Sequence, residues 1–149
     1  MDALALLKED HEKAKKLMEE LAATTERGVK TREELFTKLR AELEIHEAIE
    51  EEIFYPALKE HPKAKDLVLE AYEEHNVVDM VMGEIDGVAY DDETWGAKFT
   101  VLKENLEHHI EEEESDMWKQ ARAVFDDAEL DELGDRMAAR KEALTLARR

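Results

Sequence analysis

Four stretches of the chain each carry a residue stripe stepping by alternate threes and fours, the spacing that keeps side chains on one face of an α-helix. The first runs Leu4, Leu7, His11, Ala14, Met18 and Leu21, and the second Phe36, Leu39, Leu43, His46, Glu50 and Ile53. The third runs Val68, Ala71, His75, Val78, Met82 and Ile85, and the fourth Trp95, Phe99, Leu102, Leu106, His109, Glu113 and Asp116. Apart from the terminal Asp116, each is apolar except where it sets a histidine and, in two of the four, a glutamate one turn later. Four apolar faces of similar length bury one another as a helical bundle, and short connections make successive helices antiparallel. The polar residues need a separate reason, because an ionised carboxylate in a core is costly unless it is paired or bound to a metal.

Turn and cap signals place the helices roughly over residues 3–24, 32–54, 63–86, 93–121 and, at the C-terminus, 128–147. Asp2 suits an N-cap and Gly28 a C-terminal cap, Thr31-Arg32-Glu33-Glu34 reads as a capping box, and Pro56 ends the second helix. The expected fold is all-α, an antiparallel up-down four-helix bundle with an additional C-terminal helix, in one domain over residues 1–149. That last helix carries Leu130, Leu133, Met137 and Leu144 and reads as a cover or an oligomer contact; the oligomeric state stays open. With 21 Lys+Arg against 40 Asp+Glu the net charge is −19, which argues against nucleic acid and anionic membranes as partners. No apolar run approaches the roughly 18 residues that span a bilayer, and the N-terminus lacks a basic leader region. The chain therefore reads as soluble and cytoplasmic. The absence of Cys removes disulfides, thiolate nucleophiles and sulfur-ligated metals.

His46–Glu50 and His109–Glu113 are i, i+4 pairs, so both members of each pair share a helix face. At about 1.5 Å of rise per residue, His11, His46, His75 and His109 fall in neighbouring layers of the bundle. One histidine on an apolar stripe is ordinarily a satisfied core residue. Four at matched height, with two glutamates otherwise stranded in the core, point to metal. Imidazole and carboxylate without thiolate suit iron, manganese or zinc, and the donors are too many for one four-coordinate zinc. Two ions bridged by the carboxylates fit better.

These residues resemble the hemerythrin-like proteins of the HHE cation-binding type. The matching elements are Asp10-His11; His46-Glu47-Ala48-Ile49-Glu50-Glu51 followed by Phe54-Tyr55-Pro56; Glu74-His75; and His108-His109-Ile110-Glu111-Glu112-Glu113-Glu114. Glu132-Leu133-Gly134 with Met137, Arg140 and Lys141 also resembles the tail of many such proteins. The resemblance implies a non-haem di-iron centre, two iron ions joined by an oxo or hydroxo bridge, with His11, His46, His75 and His109 as terminal ligands and Glu50 and Glu113 as bridges. It implies a small oxidant, O₂ or peroxide, as partner. The oxygen carriers of the family have a second histidine four residues after the one on the third helix, where this chain has Asp79. The missing imidazole tilts the expectation towards catalase-like peroxide decomposition, ahead of reversible O₂ binding, O₂ sensing, or iron handling.

Five further residues are candidate extra ligands or hydrogen-bond partners of ligands. Asp79 could ligate, brace an imidazole or face solvent. His108 flanks His109, but its stripe passes through Val101 and Asn105. Glu47 reads as a solvated neighbour of His46, and Tyr72 as a packing residue beside the third stripe. Tyr55 lies nine residues after His46, about 180° around a regular helix, and reaches the site only if the helix deforms before Pro56. The run Glu111 to Glu114 reads as a solvated face except for Glu113. Among rival classes, a ferritin-like centre needs Glu-x-x-His, and no histidine here has Glu three residues before it. His-Glu-x-x-His, a serine nucleophile elbow and a phosphate-binding glycine loop are also absent. A metal-free interaction bundle is the non-enzymatic alternative.

Overall fold

The computed structural model describes residues 1–148 and is helical throughout, with no strand among the described residues. In chain order the helices are α1 (Ala3–Ala22), α2 (Val29–Ile49), α3 (Tyr55–Lys59), α4 (Lys65–Asp86), α5 (Trp95–Glu112), α6 (Trp118–Val124) and α7 (Asp127–Ala147). Two π-helical turns, Glu50–Phe54 and Glu113–Met117, join α2 to α3 and α5 to α6 without a break. α1 packs against α2 and α5, α4 packs against α5, and α7 lies along α1 and α2.

Several boundaries differ from the sequence expectation. Asp2 does cap α1 through the amide of Ala5, but α1 ends at Ala22, and Gly28 becomes the residue before α2 instead of a cap after α1. The Thr31 capping box does not form, because α2 has already begun at Val29. The end of α1 is held by Arg32, whose guanidinium donates to Thr24 O, Thr24 Oγ1 and Tyr90 O and lies 4.3 Å from the centre of the Trp95 ring. Pro56 does not end its helix. It sits in the first turn after the π turn, where a missing N–H is tolerated. α4 starts at Lys65 and α5 at Trp95, slightly inside the expected limits, while Asp126 and Glu129 form the capping box that opens α7.

The π turns also change which residues face inward. A π turn takes up one residue more than an α turn, so the stripe beyond it shifts by one position. Asp116, expected on the fourth core stripe, is exposed, and Met117 and Trp118 are buried in its stead. The apolar core falls into two clusters. One gathers the start of α1, α3, α6 and α7 around Leu7, Tyr55 and Met137; the other gathers the far ends of α1, α2, α4 and α5 around Met18, Phe36 and Trp95. A layer of buried polar residues lies between them: Asp10, His11, His46, Glu50, His75, His109 and Glu113.

α7 is seated by one close approach. A methyl group on Gly134 would stand 2.3 Å from Met1 O, 2.7 Å from Asp2 C and 2.8 Å from Ala3 N, all backbone atoms that cannot swing aside. Gly134→Ala should therefore push α7 off α1 and cost about 1–3 kcal/mol, the usual penalty for overpacking. Thermal denaturation should show a lower midpoint, and hydrogen exchange should show faster opening in α7 than in α4 or α5.

Candidate metal centre

Each of α1, α2, α4 and α5 delivers one imidazole to the polar layer. The rings form two pairs, His11 with His46 and His75 with His109, each with centroids 5.0 Å apart. Glu50 and Glu113 lie between the pairs, fully enclosed. Glu50 Oε1 is 3.1 Å from His46 Nε2 and 3.2 Å from His75 Nε2. Glu113 Oε1 is 3.3 Å from His11 Nε2, and its Oε2 is 3.4 Å from His109 Nε2. His11, His46, Glu50 and Glu113 thus form one group of donors within mutual reach, and Glu50, His75 and His109 form a second.

The opposite nitrogen of every ring is held by a carboxylate from a neighbouring helix or π turn. His46 Nδ1 meets Asp10 Oδ2 at 2.9 Å, His75 Nδ1 meets Glu51 Oε2 at 3.2 Å, His109 Nδ1 meets Glu74 Oε1 at 2.8 Å, and His11 Nδ1 meets Glu114 Oε2 at 2.7 Å. An ionised carboxylate only accepts, so each Nδ1 donates and each Nε2 is turned inward, the arrangement that orients imidazoles as metal ligands. Six of the inward atoms are buried without a hydrogen bond: Nε2 of His11, His46 and His109, both oxygens of Glu50, and Glu113 Oε1. At about 1–3 kcal/mol for each unsatisfied group, such a knot is a poor resting place for polar atoms unless an ion supplies the missing bonds.

Of the four bracing carboxylates, Glu114 was expected in solvent; it takes His11 on one side and Lys8 Nζ, at 2.7 Å, on the other. Asp10, Glu51 and Glu74 stand next to His11, Glu50 and His75 in sequence, but each braces the histidine of a different helix, which spacing along one helix does not reveal.

The two π turns explain two aromatic neighbours. The amide of Tyr55 donates to Glu50 O, and the amide of Trp118 donates to Glu113 O, each five residues back. By absorbing one residue, the first π turn swings Tyr55 from the far side of its helix to about 80° from His46. Its hydroxyl donates to Glu113 Oε2 at 2.6 Å and lies 3.3 Å from His75 Nε2. The equivalent Trp118 stacks on His11, with centroids 5.5 Å apart and planes 4° from parallel.

The remaining sequence candidates lie further out. Tyr72 packs edge-on against Tyr55 and points its hydroxyl at Glu51 O, 3.5 Å away. Glu47 is half-buried near Glu51 and His75; burial and the neighbouring Asp79 push its carboxyl up to about 8 although His75 opposes this. Asp79 is exposed and joins neither buried group. His108 points outward towards Glu112, 3.2 Å away, while His109 faces inward as its stripe requires.

The sequence profile of the Hemerythrin HHE cation binding domain matches residues 2–121. The chain belongs to this family. Among its HHE-domain relatives is the uncharacterised protein Rv2633c of Mycobacterium tuberculosis, 35% identical over 111 residues, which covers 74% of this chain and 67% of the relative. The uncharacterised protein Mb2666c of Mycobacterium bovis matches to the same extent. The crystal structure of an HHE cation-binding domain-containing protein from Mycobacterium kansasii, a homologue of Rv2633c, gives a TM-score of 0.87 at 34% identity over 97% of this chain and 87% of that one. The HHE fold and buried His/Glu groups able to hold metal ions are therefore features of this protein.

Without an ion, the inward imidazoles and carboxylates have chiefly one another's charge for company. Burial alone would lower the His109 imidazole, but Glu113 and Glu74 carry it up to about 10. His46 and His75 are raised too, against the same opposing burial, by Glu50 with Asp10 and by Glu50 respectively. Burial would raise Glu113, yet the neighbouring Glu50, His109 and His11 hold it well below the usual carboxylate range. The raised imidazoles stabilise the metal-free fold fully below the ordinary value of 6.5, and this contribution is lost as pH climbs through the raised values. Thermal midpoints of the chelated protein should therefore fall between pH 6.5 and 10, and metal loading at pH 7 should release protons measurable with an indicator dye. A midpoint that rises over this range would contradict the pairing described.

Proposed function

We propose that this chain is a di-iron protein that reacts with small oxidants, with catalase-like peroxide decomposition as its activity. Its architecture on this reading is a single antiparallel up-down four-helix bundle, with α7 as a cover. The carrying observation is the position of the two core glutamates. Glu113 turns one oxygen to His11 and the other to His109, and Glu50 stands between His46 and His75. Carboxylates that span two imidazole pairs suit two ions, with His11 and His46 serving one and His75 and His109 the other. The all nitrogen-and-oxygen donor set suits iron.

Two irons held there would supply the pair of electrons that reduce one peroxide to water and are recovered from the next as it becomes dioxygen. The chain's own part is confinement and proton handling. A cavity of about 20 Å³ lies against the imidazoles, walled by Ala14, Leu43, Val78, Leu106 and Ile110. That is little more than a water-sized space, on the scale of a small oxidant. Tyr55 supports turnover over storage, because its hydroxyl holds a proton at 2.6 Å from Glu113 Oε2. Protons taken up as one peroxide is reduced are given back as the next is oxidised, and a buried phenol against a carboxylate can hold one in between.

The reading makes a graded set of expectations. Elemental mass spectrometry of the purified protein should find near two irons per chain, and an oxygen electrode should record O₂ release on adding hydrogen peroxide. Glu50→Ala and Glu113→Ala should lose iron, whereas Tyr55→Phe should keep it and lower peroxide turnover by about tenfold or more. Reversible O₂ uptake without peroxide turnover would favour the carrier reading, and no iron even after anaerobic loading would return the chain to a metal-free interaction bundle.

A further inference from the structure

The two halves of the centre are braced unequally. On the His11–His46 side both bracing carboxylates are themselves held by a lysine. Lys8 Nζ donates to Glu114 Oε1 at 2.7 Å, while Glu114 Oε2 holds His11. Lys141 Nζ donates to Asp10 Oδ1, while Asp10 Oδ2 holds His46. On the His75–His109 side, Glu51 and Glu74 have no lysine or arginine within ion-pair distance among the described residues, and the second oxygen of Glu74 has only the exposed His108, 3.9 Å away. Glu51 is also substantially exposed, with 41% of its side chain accessible against 4% for Asp10.

Lys141 is the surprising member of this set. It belongs to α7, which begins beyond residues 2–121 matched by the family profile, and it reaches a buried carboxylate that a cation from its own helix or the next does not. A carboxylate with only one of its oxygens engaged can turn about its side-chain bonds; with Lys141 on Oδ1 and His46 on Oδ2, Asp10 is fixed at both ends. The imidazole is then fixed with it, and Nε2 stays aimed inward. Partners of this kind behind a ligand are worth about 10–100-fold in metal affinity when removed.

We propose that Lys141 is a positioning residue: by clamping Asp10 it holds His46 in its ligating orientation, so that the His11–His46 position keeps its ion longer than the His75–His109 position. The inference rests on the two-ion reading above and deepens it. α7 is then part of the centre's retention machinery as well as a cover for the apolar core.

The test is release of iron from the loaded, reduced protein to a chromogenic ferrous chelator under anaerobic conditions. The unaltered chain should release two equivalents in two phases. Lys141→Met should speed the slow phase about tenfold and leave the fast phase alone. Asp10→Asn should do the same, and the double variant should release no faster than Asp10→Asn, because both act through one contact. Arg140→Ala removes another tie of α7, the Arg140–Glu52 pair at 2.7 Å, without touching Asp10, and should leave both phases unchanged. Equal acceleration of both phases by Lys141→Met, a matching effect of Arg140→Ala, or multiplied effects in the double variant would each overturn the proposal. Two ions with an unselective Lys141→Met sink this inference alone; fewer than two ions in the unaltered chain remove the centre and the inference together.

Discussion

The structure depends on a closed ring of imidazole–carboxylate contacts. The α1 histidine leans on Glu114 beyond α5, the α2 histidine on Asp10 of α1, the α4 histidine on Glu51 beyond α2, and the α5 histidine on Glu74 of α4. Each of these four rods both gives and receives, so none can slide or rotate without breaking two contacts. Apolar packing alone fixes such rods loosely, because leucines on neighbouring turns can replace one another at small cost. Hydrogen-bonded buried groups cannot, and the ring therefore sets the relative heights of the helices within a fraction of a turn. The cost is six inward atoms left without partners in the absence of an ion.

The second organising element is the pair of π turns, one after each core glutamate. They are equivalent by sequence as well as by shape: His46, Glu50 and Tyr55 on one rod match His109, Glu113 and Trp118 on the other, with the same spacings of four and five. Local departures from α geometry are commonly found at functional sites, where they aim side chains that a regular helix cannot. Here each delivers an aromatic ring to the polar layer. The two rings differ in chemistry, a phenol beside His75 and an indole against His11, so the pseudo-symmetric frame carries an asymmetric site. The lysine clamps follow the same asymmetry, both lying on the indole side.

Much of this was legible in the sequence. The stripes gave the four rods, the matched heights of His11, His46, His75 and His109 gave the polar layer, and the His109 stripe separated it from His108. What the sequence hid has two physical origins. Contacts between helices, such as Lys141 with Asp10 or Glu114 with His11, depend on rotation and stagger that a one-dimensional pattern does not encode, so Glu114 looked like any member of an acidic run. The π turns hid because a regular period assumes α geometry. Continuing the fourth stripe at that period led to Asp116, when one extra residue in the turn brings Met117 inward. Tyr55 was visible only as a conditional, since its approach required a deformation that Pro56 alone did not prove.

The π turns carry a consequence for how such a chain tolerates insertions and deletions. A residue added between His46 and Glu50, or between His109 and Glu113, rotates everything after it by about 100°, which misaligns the glutamate with the histidine before it. A residue removed from the π turn itself leaves the histidine and the glutamate in place and restores an α period downstream. The five-residue turns are thus the natural seams of the domain. A shorter relative would regain ordinary helix there and still hold its own counterparts of Tyr55 and Trp118 about 80° from the histidine, as eight residues of regular helix do. The same di-histidine framework would then keep its aromatic neighbours and lose only the bulge that separates them from the glutamates.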